Sequence, residues 1–266
     1  MKNILFTICG RAGSKGVKNK NVLDFCGYPL VDYTLAIIRM FREKHQDEYA
    51  RIDVALSTDS PQLREQAERR LPALFSIDRD AALAGDMVRK IDVIRDAARR
   101  AAAFFQVDYD AVIDLDLTSP LRTMDDLENV IQKRWQSDAD VVYTVTEGRR
   151  NPYFNQVTRY DDGYFFTVCG VQLISRQQAK KVYDMNGSIY AYSPSFIASE
   201  EAVFRHAHIV EMRDTGILDI DGPEDYELMQ VIADYLYEHY AEYGAIRKEV
   251  MLQAEKKRFS ATELNC

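Results

Sequence analysis

Short apolar runs rich in β-branched residues alternate with helix-spaced apolar faces along most of this chain, and that rhythm leaves few architectures open. Residues 4–9 form the first run. Pro29 then opens a helical pattern in which Leu30, Tyr33, Thr34, Ile37, Ile38 and Phe41 share a face. "RIDVALS" reads as a strand, and Ser60-Pro61 as the N-cap and first-turn proline of a helix over "PQLREQAERRL". The spacing predicts a third helix over residues 91–105, a strand at "DYDAVIDLDL", a helix at "TMDDLENVIQKRW" with Thr123 as N-cap, and a strand at "DVVYTVT". Strands alternating with helices imply an α/β fold with a mostly parallel, doubly wound sheet covered on both faces.

The rhythm breaks once. From about residue 148 to 183 the chain is aromatic and polar, with Asp162-Gly163 as a hairpin signal between two alternating runs. Strand patterns return at "GSIYAYS", "AHIVEM" and "GILDID", and one long helix is expected from Pro223 to about Gln253, ahead of a frayed tail. The expected organisation is therefore a single domain over residues 1–266, a length that suits one large α/β core with an excursion suited to a dimer contact.

The first apolar run leads straight into "GRAGSKGVKNKN". Arg11, Lys15, Lys18 and Lys20 fall there among residues 11–20, which contain no acid, although the chain as a whole carries a formal net charge of −8. Glycines let backbone N–H groups turn toward a ligand, and the cations supply charge, so the loop suits a polyphosphate. It fits neither the G-x-x-x-x-G-K-[ST] loop nor the G-x-G-x-x-G dinucleotide fingerprint. The acidic balance excludes broad basic faces for nucleic acid or an anionic membrane surface. No apolar run approaches the ~20 residues that cross a bilayer, and residues 1–9 are too brief for a signal-peptide core, so a cytoplasmic protein is expected. Cys9, Cys26, Cys169 and Cys266 are scattered and read as free thiols, two of them in the core. His45, His206, His208 and His239 have neither metal nor nucleophile spacing.

At this point the residues resemble a known family. "GRAGSKGVKNKNV" is similar to the nucleotide-binding signature of the CMP-sialic acid synthetases and their relatives, cytidylyltransferases that activate eight- and nine-carbon acidic sugars. "STDS", "LTSPLR", "NGSIY" and "DIDGPEDYELM" follow in the family order, so the likeness spans about residues 4–232. "KIDVIRDA", "IDLDLTSPLR" and "RRNPYFNQV" resemble the CMP-legionaminic acid synthetases in particular. Two departures from the sialic acid enzymes point to a different sugar. Asp116-Leu117 stands where they read Gln-Pro, replacing an amide donor by an acceptor-only carboxylate, and Met87, Val88, Arg89 and Lys90 replace a Thr/Ser-rich stretch.

The resemblance implies a nucleotidyltransferase, Rossmann-like fold, a homodimer built on the excursion, and attack of a sugar's anomeric hydroxyl on the α-phosphorus of CTP with Mg²⁺ as cofactor. It implies catalytic roles for Arg11, Lys15, Lys20 and Arg176. Nucleotide contacts are implied for Arg11, Ser14, Lys15, Asn21, Arg79 and Asp116, and sugar contacts for Asn155, Tyr183 and Asn186, with Tyr153 and Phe154 as apolar walls. Asp219 and Asp221, one residue apart, would face the same way on a strand while Ile220 points into the core; hard oxygen ligands so placed suit magnesium. Asp114 and Asp116 form a competing D-x-D pair at a strand's carboxyl end. The family order ranks Asp219 and Asp221 as the metal pair, Asp116 as a binding residue and Asp114 as structural. Other readings stay open: a CMP-sialic or CMP-pseudaminic acid synthetase, another sugar nucleotidyltransferase, a glycosyltransferase D-x-D, a non-catalytic nucleotide-binding subunit, or a scaffold built on the Tyr-rich C-terminal helix. No residue stands out as general base.

Overall fold

Strand β1 (Lys2–Gly10) runs through the middle of a seven-stranded sheet, where its alternate residues feed two separate cores. The structure, a computed structural model, describes residues 1–13, 19–161, 163–171, 173, 175–215 and 219–263. Ile4, Phe6 and Ile8 enter one core and Leu5 the other, all fully buried, which is why residues 4–8 read as a continuous apolar run. Each such side chain contributes roughly 1.5–3 kcal/mol by leaving water.

After β1 come a two-residue ribbon, β2 (Asp24–Phe25) with β3 (Tyr28–Pro29), and then α1 (Leu30–His45). The chain continues through β4 (Tyr49–Thr58), α2 (Pro61–Arg70), β5 (Phe75–Asp78), α3 (Lys90–Phe105), β6 (Ala111–Leu115), α4 (Met124–Trp135) and β7 (Val141–Glu147). A small hairpin, β8 (Val157–Arg159) with β9 (Phe165–Thr167), precedes β10 (Tyr183–Tyr192), α5 (Pro194–Ala198) and β11 (Ala207–Glu211). The last elements are α6 (Pro223–His239) and α7 (Ala241–Glu263). The order across the sheet is β11-β7-β10-β6-β1-β4-β5. Every neighbouring pair is parallel except those made by β10, which runs antiparallel to both β6 and β7. Helices α1, α2, α4, α6 and α7 pack with the Ile4 core, and α3 and α5 with the Leu5 core. The mostly parallel, doubly wound α/β sheet expected from the rhythm is what forms.

Local chemistry sets the helix starts. Ser60 Oγ accepts from Leu63 N at 3.3 Å, and Thr123 and Asp126 form a reciprocal capping box, as S/T-x-x-acid spacing predicts. The excursion is closed at its base by Gly148 N donating to Val182 O at 3.0 Å. Its hairpin leaves Tyr164, Phe165 and Val157 more than half exposed.

Three expectations need correction. The single C-terminal helix is two, because Tyr240 is extended at φ −132°. The break lets α7 fold onto α1 and α6 and bury Tyr243, Ile246 and Val250, which a straight continuation would carry into solvent. Asp219 to Asp221 is not a strand: Ile220 N makes one ladder-like bond to Thr118 O at 3.1 Å, and Gly222 then caps α6. The edge strand β5 and short α5 were not legible in the pattern. Among the described residues no helix is long and apolar enough to cross a membrane.

Candidate active site

The carboxyl ends of β1, β4 and β6 lie side by side, and the loops leaving them enclose a cleft of about 430 Å³. Such a position at the end of parallel strands is where ligands gather in open α/β sheets. Gly10 ends β1 where space is scarce: a Cβ there would lie 2.3 Å from Leu63 Cδ2 and 2.8 Å from Leu117 Cδ1. Arg11, Lys20, Asn21, Arg79, Asp116 and Asp221, drawn from stretches more than 200 residues apart, all line this one cleft.

The cations are held by acceptors that a phosphate would compete with. Arg11 Nη1 pairs with Asp86 Oδ1 at 2.5 Å, and Ala12 N donates to Asp59 Oδ1 at 2.6 Å. Lys20 Nζ donates to Ile220 O and lies 3.7 Å from Asp221 Oδ1, so the basic loop and the acidic pair meet. Asn21, buried, donates to Arg11 O at 3.3 Å and braces the loop. Arg79 is anchored to the end of β4 through Ser57 O at 2.7 Å and Ser57 Oγ at 3.3 Å, and burial pulls its pKa down.

In the same cleft Lys90 Nζ lies 2.8 Å from Asp114 Oδ2 and 2.5 Å from Asp116 Oδ2. Asp114 is fully buried and also accepts from Thr7 Oγ1 at 2.9 Å, in keeping with a structural role. Asp116 Oδ1 accepts from Thr118 N at 2.9 Å and Thr118 Oγ1 at 2.7 Å. Burial works against the charge on Asp116, but Lys90 and Thr118 overcome it and hold the carboxyl below the usual carboxylate range. Beneath them the buried Arg122 guanidinium donates to Asp116 O, to Ser188 O at 2.9 Å and to Thr34 Oγ1 at 3.1 Å. Burial pulls its pKa down to about 10, and the backbone carbonyls it grips fix the turn that carries Asp116 and Thr118.

Asp219 has a buried Oδ1 with no hydrogen-bond partner, and burial, with the charge of Asp116, pushes its pKa up. The sign of the linkage is set by that direction. Between the unfolded carboxyl's pKa, about 4, and the raised folded value, the native state binds more protons, so ionised Asp219 costs stability above that window. Asp219→Asn is expected to raise the melting temperature of the ligand-free protein at pH 7, and the wild-type protein to lose stability as pH climbs through the window; unchanged melting in scanning calorimetry would contradict this.

Other expected residues lie elsewhere. Asn155 is exposed in the excursion, where its Oδ1 accepts from Asn151 N at 2.6 Å. Tyr183 begins β10 with the Lys181 ammonium 4.9 Å from its ring centroid. Asn186 is buried, and its Oδ1 accepts from Thr144 Oγ1 at 2.6 Å and Ser188 N at 3.2 Å beside the irregularity in β10. None of the three lines the cleft. Tyr153 and Phe154 sit in the same excursion turn as Asn155. Ser14, Lys15 and the Arg176 side chain lie outside the described residues. Cys9 lines the cleft floor, but burial and Asp114 raise its pKa, so its thiol stays neutral.

The sequence assigned no role to Asp59 or Arg122, which stand inside the motifs STDS and LTSPLR, or to Asp86, and it marked Lys90 only as part of a departure from the sialic acid enzymes. Lys90 did leave a signal: it opens α3, where a cation opposes the helix dipole and needs another reason to be there.

Comparison with known proteins gives the family and the fold. The family model described as cytidylyltransferase matches residues 5–258. A Campylobacter coli protein named post-translational flagellin modification protein B is 33% identical over 233 residues, covering 87% of this chain and 95% of its own. The CMP-N,N'-diacetyllegionaminic acid synthase of Campylobacter jejuni is 31% identical over 240 residues, with the same two coverages. Among solved structures, a CMP:2-keto-3-deoxy-manno-octonic acid synthetase complexed with CTP superposes with a TM-score of 0.59 at 17% identity, covering 88% of this chain and 99% of that one, which speaks for the fold.

Proposed function

The chain belongs to the cytidylyltransferase family, and from that premise we propose that it transfers CMP from CTP to the anomeric hydroxyl of a nine-carbon acidic sugar, legionaminic acid or a derivative of it. One observation carries the reading: cations from the loop after β1 and the Asp221 carboxylate from the segment before α6 converge on a single cleft at the sheet's carboxyl edge.

In this reaction the anomeric oxygen attacks the α-phosphorus, the α–β phosphoanhydride bond breaks, pyrophosphate leaves, and the hydroxyl proton passes to solvent. Negative charge grows on the phosphoryl oxygens and the leaving group, so positioning and fixed cations do most of the work. Arg11 and Lys20 would exchange Asp86 and Asp221 for phosphate oxygens. Arg79, already immobilised on Ser57, adds charge at no cost in reorganisation. Ser14 and Lys15 join the triphosphate set by resemblance, as does Arg176 in supporting the reaction.

A magnesium ion fits the acidic side. Asp219 Oδ1 is buried without a partner and its carboxylate is penalised, the state of a ligand short of a cation. Asp221, with its side chain 84% exposed, offers a second hard oxygen. Among the described residues no group of three metal-ligating side chains exists, so remaining positions would fall to phosphate and water. When bound, the ion would neutralise charge on the phosphates.

We place the enzyme in the cytoplasm as a homodimer joined through the excursion. Its exposed Tyr164, Phe165 and Val157 support that contact, and Asn155 and Tyr183 would then serve the sugar from beside the hairpin, with the buried Asn186 joining them by resemblance alone. Sialic and pseudaminic acids are the competing substrates. Pyrophosphate release should require CTP, Mg²⁺ and acid sugar together and be fastest with legionaminic acid in a side-by-side assay of the three sugars. Faster release with either rival would reassign the substrate, and silence with all three would sink the reading.

A further inference from the structure

The Lys90–Asp116 pair lining the cleft has bonding capacity left over. Lys90's ammonium has three N–H donors; one is given to Asp116 Oδ2, and Asp114 Oδ2 lies 2.8 Å away as an ion-pair partner without an aligned hydrogen bond, so donor capacity is left with no partner among the described residues. Asp116 Oδ1 is filled by Thr118 N and Thr118 Oγ1, while Oδ2 takes only Lys90 and keeps a lone-pair direction. Both side chains border the cleft and are partly open to it, Lys90 at 40% and Asp116 at 25% exposure. A donor and an acceptor therefore stand 2.5 Å apart on one wall.

The charge around them limits what they can hold. The lone pair left on Asp116 Oδ2 asks for a proton that a phosphate or carboxylate oxygen does not carry, so those groups belong with Arg11, Lys20 and Arg79. A ligand amine would be opposed by Lys90. A neutral hydroxyl satisfies both partners at once, giving its proton to Asp116 and accepting from Lys90. Val88 and Val93, which flank the pair in the cleft, add apolar walls suited to the C–H face of a ring.

We propose that Lys90 and Asp116 form a recognition site for one hydroxyl of a sugar, which makes Lys90 a specificity-determining residue. This rests on the cytidylyltransferase reading above. The hydroxyl could come from the ribose of CTP or from the acid sugar, and both sources carry the same chemistry. A site built to hydrogen-bond a hydroxyl with charged partners discriminates against the deoxy analogue by about 10- to 100-fold.

The test is steady-state pyrophosphate release by wild type and Lys90→Met with CTP, 2′-deoxy-CTP and 3′-deoxy-CTP, and with the acid sugar and its mono-deoxy analogues. Because Lys90→Met strands the buried Asp114, the double variant Lys90→Met/Asp114→Asn, which removes one charge of each sign, is run beside it. One deoxy substrate should lose about 10- to 100-fold in kcat/KM with wild type and almost nothing with either variant, and whether it is a nucleotide or an acid sugar identifies the source. Equal discrimination by wild type and both variants against every analogue would overturn the assignment and leave Lys90 as a mere counter-ion to Asp114. Absence of turnover by wild type with any substrate would instead defeat the parent reading, and this one with it.

Discussion

Asp221→Asn is expected to lower pyrophosphate release at least 100-fold while leaving the melting temperature within a degree or two of wild type. The side chain is 84% exposed and its one ion-pair partner among the described residues, Lys20, lies 3.7 Å away, so the fold gains little from the charge. Surface changes of that kind move stability by about 0.5 kcal/mol or less. Turnover is different, because an amide in place of the carboxylate forfeits both a hard anionic oxygen and the fixed charge that opposes Lys20 before substrate arrives. Loss of a group that stabilises developing charge at a phosphoryl centre typically costs 10²–10³ in rate. Wild-type turnover by this variant would remove Asp221 from the mechanism.

Arg122→Met should have the opposite signature, with stability as its main casualty. The guanidinium is 1% exposed and ties together three separate pieces of chain: the Asp116 carbonyl, the Ser188 carbonyl of β10 and the Thr34 hydroxyl of α1. Methionine fills much of the volume but leaves two carbonyls and a hydroxyl stranded, at about 3–5 kcal/mol in total. For a chain of this size that corresponds to roughly 6–15 °C in melting temperature. Activity measured well below the transition should fall as well, because the Asp116–Thr118 turn loses its anchor. A variant that melts like wild type in scanning calorimetry would show that water or local repacking satisfies these groups.

The sheet was legible in the sequence because its central strands are buried on both faces. Ile4 to Ile8 must be apolar at every position except where Thr7 hydrogen-bonds Asp114, and the period change to α1 is correspondingly sharp. The placing of Arg11 and Lys20 in one cleft was legible for a related reason: cations without nearby acids in an acidic chain call for an anion. What stayed hidden depends on tertiary placement. Nothing in "RKIDVI" says that the start of α3 is carried to the end of β6, where Lys90 meets Asp114 and Asp116. The strand parity expected for Asp219 and Asp221 failed because Gly222 begins the cap of α6 too soon for a ladder to form, yet Ile220 is buried as that parity required. Tyr240 is no helix breaker by composition. Only the packing of α7 against α1 reveals why the chain turns there.

Arg11 and Lys20 on one side, and Asp219 and Asp221 on the other, are claimed to grip one metal-bound nucleotide. Calorimetric titration of CTP into wild type and Asp221→Asn, each with Mg²⁺ and with chelator, addresses that claim without needing the sugar. CTP should bind wild type at least 10-fold more tightly with Mg²⁺ than with chelator, and the variant should lose that difference. Binding of equal strength under all four conditions, or none to wild type, would mean that the cations and the carboxylates do not share a ligand.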